Sequence, residues 1–140
     1  MPYPHEYMVA TDKFAAFLSD VKEEAGFGSS HMAYTMAQGV FQVFRRRVDF
    51  KDAIAFANIL PVGMRALFVA DWDVDEERLP FTDLETMNKE VRLLRPDHNF
   101  ATDHAIQQVA SAMKKHVDNE MLEVLLMEVS KEALAFWQIG

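Results

Sequence analysis

The sequence predicts an all-α fold, a helical bundle made of two repeated multi-helix units in a pseudo-two-fold relation. Three observations carry that expectation. Apolar residues recur at i, i+3, i+4 and i+7 along most of the chain, the mark of amphipathic helices. Strand-like alternation is missing from the pattern. Stripes, caps and basic helix ends also return when the chain is slid along itself by 69 to 70 residues.

The first ten residues hold Pro2 and Pro4 without periodicity and read as an extended arm. Phe14, Phe17, Leu18 and Val21 then form one stripe on a helix that Gly26 and Gly28 end. Ser29 or Ser30 caps the next helix, striped by Met32, Met36, Val40, Val43 and Phe44, with Ala33 and Ala37 alongside. Asp49 caps a third, which carries Phe50, Ala53, Ile54 and Ala57. Pro61 disfavours α geometry at Leu60 but suits a first helical turn, so a fourth helix starts there and turns Met64, Leu67 and Phe68 inward.

Residues 71–81 are acidic and aperiodic and form a solvated linker. Thr82 and Glu85 have the spacing of a capping box. Leu84, Met87, Val91 and Leu94 follow as a stripe, with Pro96 after its end. Ile106, Val109, Ala110, Met113 and Val117 mark a further helix. Asp118 caps one bearing Met121, Leu122, Leu125, Leu126 and Val129, and Ser130 caps the last, with Ala133, Phe136 and Trp137.

At an offset of 69, Val48-Asp49 falls on Val117-Asp118, Val40 on Val109, Phe44 on Met113, and Phe56 on Leu125. Leu60 falls on Val129, Leu67 on Phe136 and Phe68 on Trp137; in the first helix an offset of 70 puts Phe14 on Leu84, Phe17 on Met87 and Val21 on Val91. The expected organisation is one domain over residues 1–140, with repeat one at about 12–70, the linker at 71–81 and repeat two at about 82–138. A unit of about 60 residues is marginal alone, so the two would share one core.

Composition bounds the function. The 140 residues contain no cysteine, which removes disulfides, thiol catalysis and cysteine-ligated metals and fits a cytoplasmic protein. The net charge of −8 argues against the phosphate attraction on which nucleic-acid binders depend. The N-terminus lacks a basic start followed by an apolar run, and the longest apolar stretches are too short for a bilayer, so no membrane association is expected.

Residues 60–72 read Leu-Pro-Val-Gly-Met-Arg-Ala-Leu-Phe-Val-Ala-Asp-Trp. With the doubled helices, this segment resembles the bacterial family catalogued as domain of unknown function 2267. Its members look like two copies of a helical unit, each ending in Leu-Pro-x-x-Leu-Arg-x-Leu-aromatic, the first usually followed by Gly-Trp. Leu60, Pro61, Met64, Arg65, Leu67, Phe68 and Trp72 match, with Met64 in place of leucine and Asp71 in place of glycine. In the second half Val129, Ser130, Ala133 and Leu134 keep only the apolar skeleton of the motif. The resemblance spans about residues 12–138 and implies a fold; it carries over no catalytic residue, cofactor or metal ligand.

Candidate site residues are therefore drawn from chemistry alone. Arg45, Arg46 and Arg47 end the second helix, and at the offset of 69 they fall on Lys114, Lys115 and His116. Paired basic clusters suit an anionic polymer, although cations at a helix C-terminus also complement the macrodipole without a ligand. Arg65, if buried, needs a carboxylate partner, which the acidic linker could supply. Trp72 and Trp137 are expected near the junction of the repeats. The run Asp71, Asp73, Asp75 begins like a calcium loop but has Glu76 where glycine must turn and Thr82 where a bidentate glutamate is needed. Asp97-His98 and Asp103-His104 flank a helix start, where the acids serve more simply as caps. No nucleophile motif or glycine-rich phosphate loop occurs.

These observations lean away from an enzyme. They favour a non-catalytic interaction module for a protein partner or a homodimer. The alternative is a small-molecule-binding or enzymatic protein with a pocket between the repeats, and a weaker alternative is anionic-polymer binding by the paired basic helix ends.

Overall fold

The computed structural model describes residues 3–94 and 100–138. Among them are nine helices and no strand: α1 (His5–Met8), α2 (Ala10–Ala25), α3 (Ser30–Arg45), α4 (Phe50–Asn58), α5 (Val62–Val69), α6 (Leu84–Leu93), α7 (Ala105–Lys114), α8 (Asn119–Val129) and α9 (Lys131–Trp137). The eight from α2 to α9 stand where apolar periodicity places helices. The first corrects the extended arm. Pro4, with φ of −58°, introduces a single turn in which its carbonyl accepts from Tyr7 N–H and that of His5 from Val9 N–H. Proline's fixed φ favours this entry.

Local chemistry sets the boundaries. Gly26 ends α2 in the left-handed region at φ 71°, where the missing Cβ removes the steric cost. Ser29, Asp49, Asp118 and Ser130 accept hydrogen bonds from Met32, Asp52, Met121 and Ala133 N–H groups. At α6 the expected cap is displaced by one residue. Asp83, not Thr82, accepts from the N–H of Thr86 at 3.0 Å and from its hydroxyl at 2.7 Å. A carboxylate beats a hydroxyl there because it also complements the positive helix end. Pro96 and the Asp97-His98 pair lie outside the described residues.

The core is built around α3, which buries residues on every side from Ala33 to Arg45, as a central helix must. α2 packs on α3 and α7, and α3 in turn meets α5, α6 and α7. Phe44 lies 4.9 Å from Phe56 and 5.3 Å from Trp137, and Phe56 stacks on Trp137 at 5.4 Å (ring centroids). Two residues expected inward on α4 are not: Phe50 and Ile54 are 53% and 58% exposed. Ala53, Phe56 and Ala57 take the inward face instead, and Phe50 rests on Trp72. Among the described residues no helix is long and apolar enough to cross a membrane.

Candidate functional site

At the C-terminus of α3 the three arginines do different work. Arg45 is buried; it donates to the carbonyls of Phe68 and Ala70 at 2.8 Å each and of Asp71 at 3.1 Å. Its guanidinium carbon sits 5.2 Å from the centroid of Trp72, and its Nε has no hydrogen-bond partner among the described residues. Burial pushes this guanidinium below its ordinary value, and Arg46 adds to the shift, while Glu76 and Asp71 oppose it. Arg46 reaches Glu76 at 3.3 Å and Glu90 at 3.2 Å, and its carbonyl accepts from Leu79 N–H. Arg47, also buried, donates to Pro80 and Val43 carbonyls and grips both oxygens of Glu90. The segment after α5 is thus strapped to α3 through its backbone. Its acidic side chains are mostly exposed, so the segment is tied down at its backbone while its side chains face solvent.

Trp72 is half-buried beside this clasp, with Phe50 and Phe68 against its faces and edges. A cavity of about 160 Å³ opens there, lined among others by Arg45, Arg46, Phe50, Trp72 and Arg78. Just before it, Asp71 has a left-handed φ of 54°. Arg65 does not join the site. It turns back to α4 and donates to the carbonyls of Ala57 at 3.1 Å and Leu60 at 3.2 Å. Its partners are backbone oxygens and not a carboxylate: the side chain is only half-buried, and carbonyls at a helix end can accept from a cation.

The second basic cluster lies elsewhere. Lys114 borders a separate cavity of about 220 Å³ with Asn119, Glu123 and Trp137. Burial pushes its ammonium pKa down and Glu123 opposes this. Lys115 lies 4.0 Å from Glu24, and His116 Nε2 lies 2.6 Å from Asp20, so both face α2. Asp103 does not cap α7; it pairs with Arg92 at 2.8 Å. Buried Asn88 of α6 does that job across the gap, its Oδ1 accepting from Ile106 N–H at 2.9 Å. Among the described residues no three His, Asp or Glu side chains converge as a metal ion would require.

The feature that sequence reasoning missed is on α8. Met121 was expected inward but is 54% exposed, and Val124 and Met127 are exposed as well. Only Leu122 and Leu126 are buried. A shallow groove of about 460 Å³ runs along this face, floored by Ile59, Met121, Val124 and Leu125, with Glu120 at one end and Glu128 at the other. The signal was present: Asn119–Val129 holds apolar residues all round, more than one inward stripe can use. Glu90 and Asn88 were also missed, since their partners lie 43 and 18 residues away in sequence.

The family model described as "Uncharacterized conserved protein (DUF2267)" matches residues 14–136. No curated protein matches the chain.

Proposed function

Because the chain belongs to the DUF2267 family, whose function is unknown, we propose from its geometry alone a non-catalytic helical interaction module that receives a protein partner on the outer face of α8. The observation that carries this reading is the apolar groove of Met121, Val124, Leu125 and Ile59. Exposed apolar side chains grouped on one face, rimmed by charge, mark interaction surfaces. Away from it four arginines hold the fold: Arg45, Arg47, Arg65 and Arg92 donate to backbone carbonyls. Binding of anionic polymers by the paired basic ends is the weaker reading, since Arg45 and Arg47 are buried in such bonds and Lys114 borders a different cavity from Arg45 and Arg46. The test is Val124→Glu. Expected are an unchanged melting temperature and the loss of a discrete adduct formed in the host cell by a photo-crosslinker at position 121. A crosslinker there that yields no more adduct than one at exposed Glu85 would overturn the reading.

We also propose that α2–α5 and α6–α9 are copies of one unit around a shared core, in a single domain. In its favour, α4 and α8 each start directly after an aspartate cap, Asp49 and Asp118. The starts of α5 and α9, at Val62 and Lys131, keep the same offset, as do the ends of α3 and α7 at Arg45 and Lys114. A crystal structure in which the two halves superpose only with a rotation far from a half-turn would contradict the two-fold relation.

A further inference from the structure

We infer that the occupant of the α8 groove is a basic amphipathic helix of another protein, and not a second copy of this chain; the inference rests on the interaction-module reading above. The groove has an apolar floor and a carboxylate at each end, Glu120 and Glu128. Eight helical residues separate these acids by about 12 Å along the axis. α8 also carries Glu123, and its sequence NEMLEVLLMEV contains no basic residue.

That charge pattern discriminates between occupants. In a two-fold pair of α8 helices running antiparallel about Val124, Glu120 of one copy meets Glu128 of the other, twice over. If the helices run parallel, each glutamate meets itself. Either arrangement buries like charges together with no cation on α8 to relieve them, and such juxtaposition is strongly unfavourable. The net charge of −8 on the chain adds long-range repulsion between copies. A foreign helix laying an apolar i, i+3, i+4, i+7 stripe along the floor meets none of this. With Lys or Arg two turns apart at the stripe's edges it pairs both glutamates at the rim, the helix-in-groove mode of recognition.

The experiment titrates the full chain with three synthetic helices of about 18 residues, or five turns. All share one leucine stripe, and their polar positions are all Lys, all Gln or all Glu. The expected order is Lys tightest, Gln weaker and Glu undetectable. Glu120→Gln with Glu128→Gln should bring the Lys peptide down to the Gln peptide's affinity, a loss of several-fold. Val124→Glu is the decisive control, because it adds a negative charge while removing apolar floor. It should weaken the Lys peptide at least about tenfold, the scale of a central contact residue. All three side chains are at the surface, so circular dichroism should confirm an unchanged fold.

Lys-peptide binding that survives or strengthens in Val124→Glu means attraction to net charge alone, and overturns both the inference and the reading beneath it. A Gln peptide binding as tightly as the Lys peptide, yet lost in Val124→Glu, overturns the inference and leaves the module reading standing. So does a chain that sediments as a dimer and becomes monomeric in Val124→Glu.

Discussion

Arg47 holds Glu90 with two nitrogens on two oxygens, at 2.6 and 2.9 Å, and so ties the end of α3 to α6. Arg47 is almost fully buried in this pair, with its side chain 2% exposed. Burial alone would raise the Glu90 carboxyl; the hydrogen bond from Arg47, and the charges of Arg47 and Arg46, outweigh it and hold the group below its ordinary 4.5. A depressed carboxyl stabilises the fold above its unfolded value and loses that contribution as pH falls through the folded one. Stability should therefore begin to drop below about pH 4.5 through this group. Glu90→Gln is expected to cost about 3 kcal/mol at neutral pH, since it strands a buried cation, and to make the acid loss shallower. Replacing both Arg47 and Glu90 by methionine should restore most of that stability. Urea titrations at several pH values read both effects, and exposed Glu85→Gln is the control that should change neither.

At Gly63 the backbone of α5 lies close against Phe14 of α2. A Cβ there would stand 2.7 Å from Phe14 Cβ and 2.9 Å from its Cγ. In an isolated helix Gly→Ala gains about 1 kcal/mol; here the overpacking costs about 1–3 kcal/mol and should win. Gly63→Ala is expected to lower the melting temperature. Phe14→Gly removes both the Cβ and the ring, so in that background the same change should become favourable, and a double-mutant cycle with no coupling would refute the contact.

Why some of this was legible in the sequence and some was not follows from how far each signal reaches. Asp49, Asp118, Ser130 and Pro61 act within four residues of themselves, and the helices they start begin where the sequence puts them. Thr82 and Asp83 are adjacent residues that can both accept from a first-turn N–H, and the cap goes to Asp83, whose carboxylate also complements the positive helix end. Glu90 and Asn88 work across the bundle, so nothing in their own segments distinguishes them from surface polar residues. Arg45 looked like a cation at a helix end but is used as a strap for three carbonyls 23 to 26 residues away. The α8 groove is not legible because Met121 continues the same apolar run as Leu122, Leu125 and Leu126, and periodicity does not tell which of them the core takes; it takes Leu122 and Leu126.

Asp71 sits at φ 54° where the strap begins, the position at which the family resemblance has glycine. Glycine adopts this conformation freely, aspartate tolerates it, and a β-branched residue pays about 1–3 kcal/mol. The expected stability order at this site is Gly at or near Asp, then Ala, then Val. Because the Asp71 carbonyl accepts from Arg45, Asp71→Val should also loosen the strap, seen as faster amide exchange at Leu79. Equal stability for Val and Gly would contradict this account.

The Leu60-Pro61 and Arg65 elements of the motif are coupled by one missing hydrogen. In a continuing helix the carbonyl of Ala57 would receive the N–H four residues on, but that residue is Pro61, which has none; the N–H of Leu60 reaches it instead, at 3.1 Å, and leaves its second lone pair open. Arg65 Nε supplies a donor to this carbonyl at 3.1 Å, and its NH2 takes the Leu60 carbonyl at 3.2 Å. Sixty-nine residues later the places of Ala57, Pro61 and Arg65 are held by Leu126, Ser130 and Leu134. There Ser130 N–H makes the bond to the Leu126 carbonyl that Pro61 cannot make to Ala57, at 3.1 Å, and proline and arginine are absent together. Arg65→Leu is accordingly expected to cost about 1.5–3 kcal/mol, the loss of charge-assisted bonds to carbonyls at a helix end. Arg65→Lys should recover only part of it, because one ammonium lacks the fork that spans two oxygens. Unfolding midpoints give the magnitude, and amide exchange should quicken first at Ile59 and Leu60, at the frayed end of α4. Loss spread evenly over the whole chain would instead assign Arg65 a role in the core.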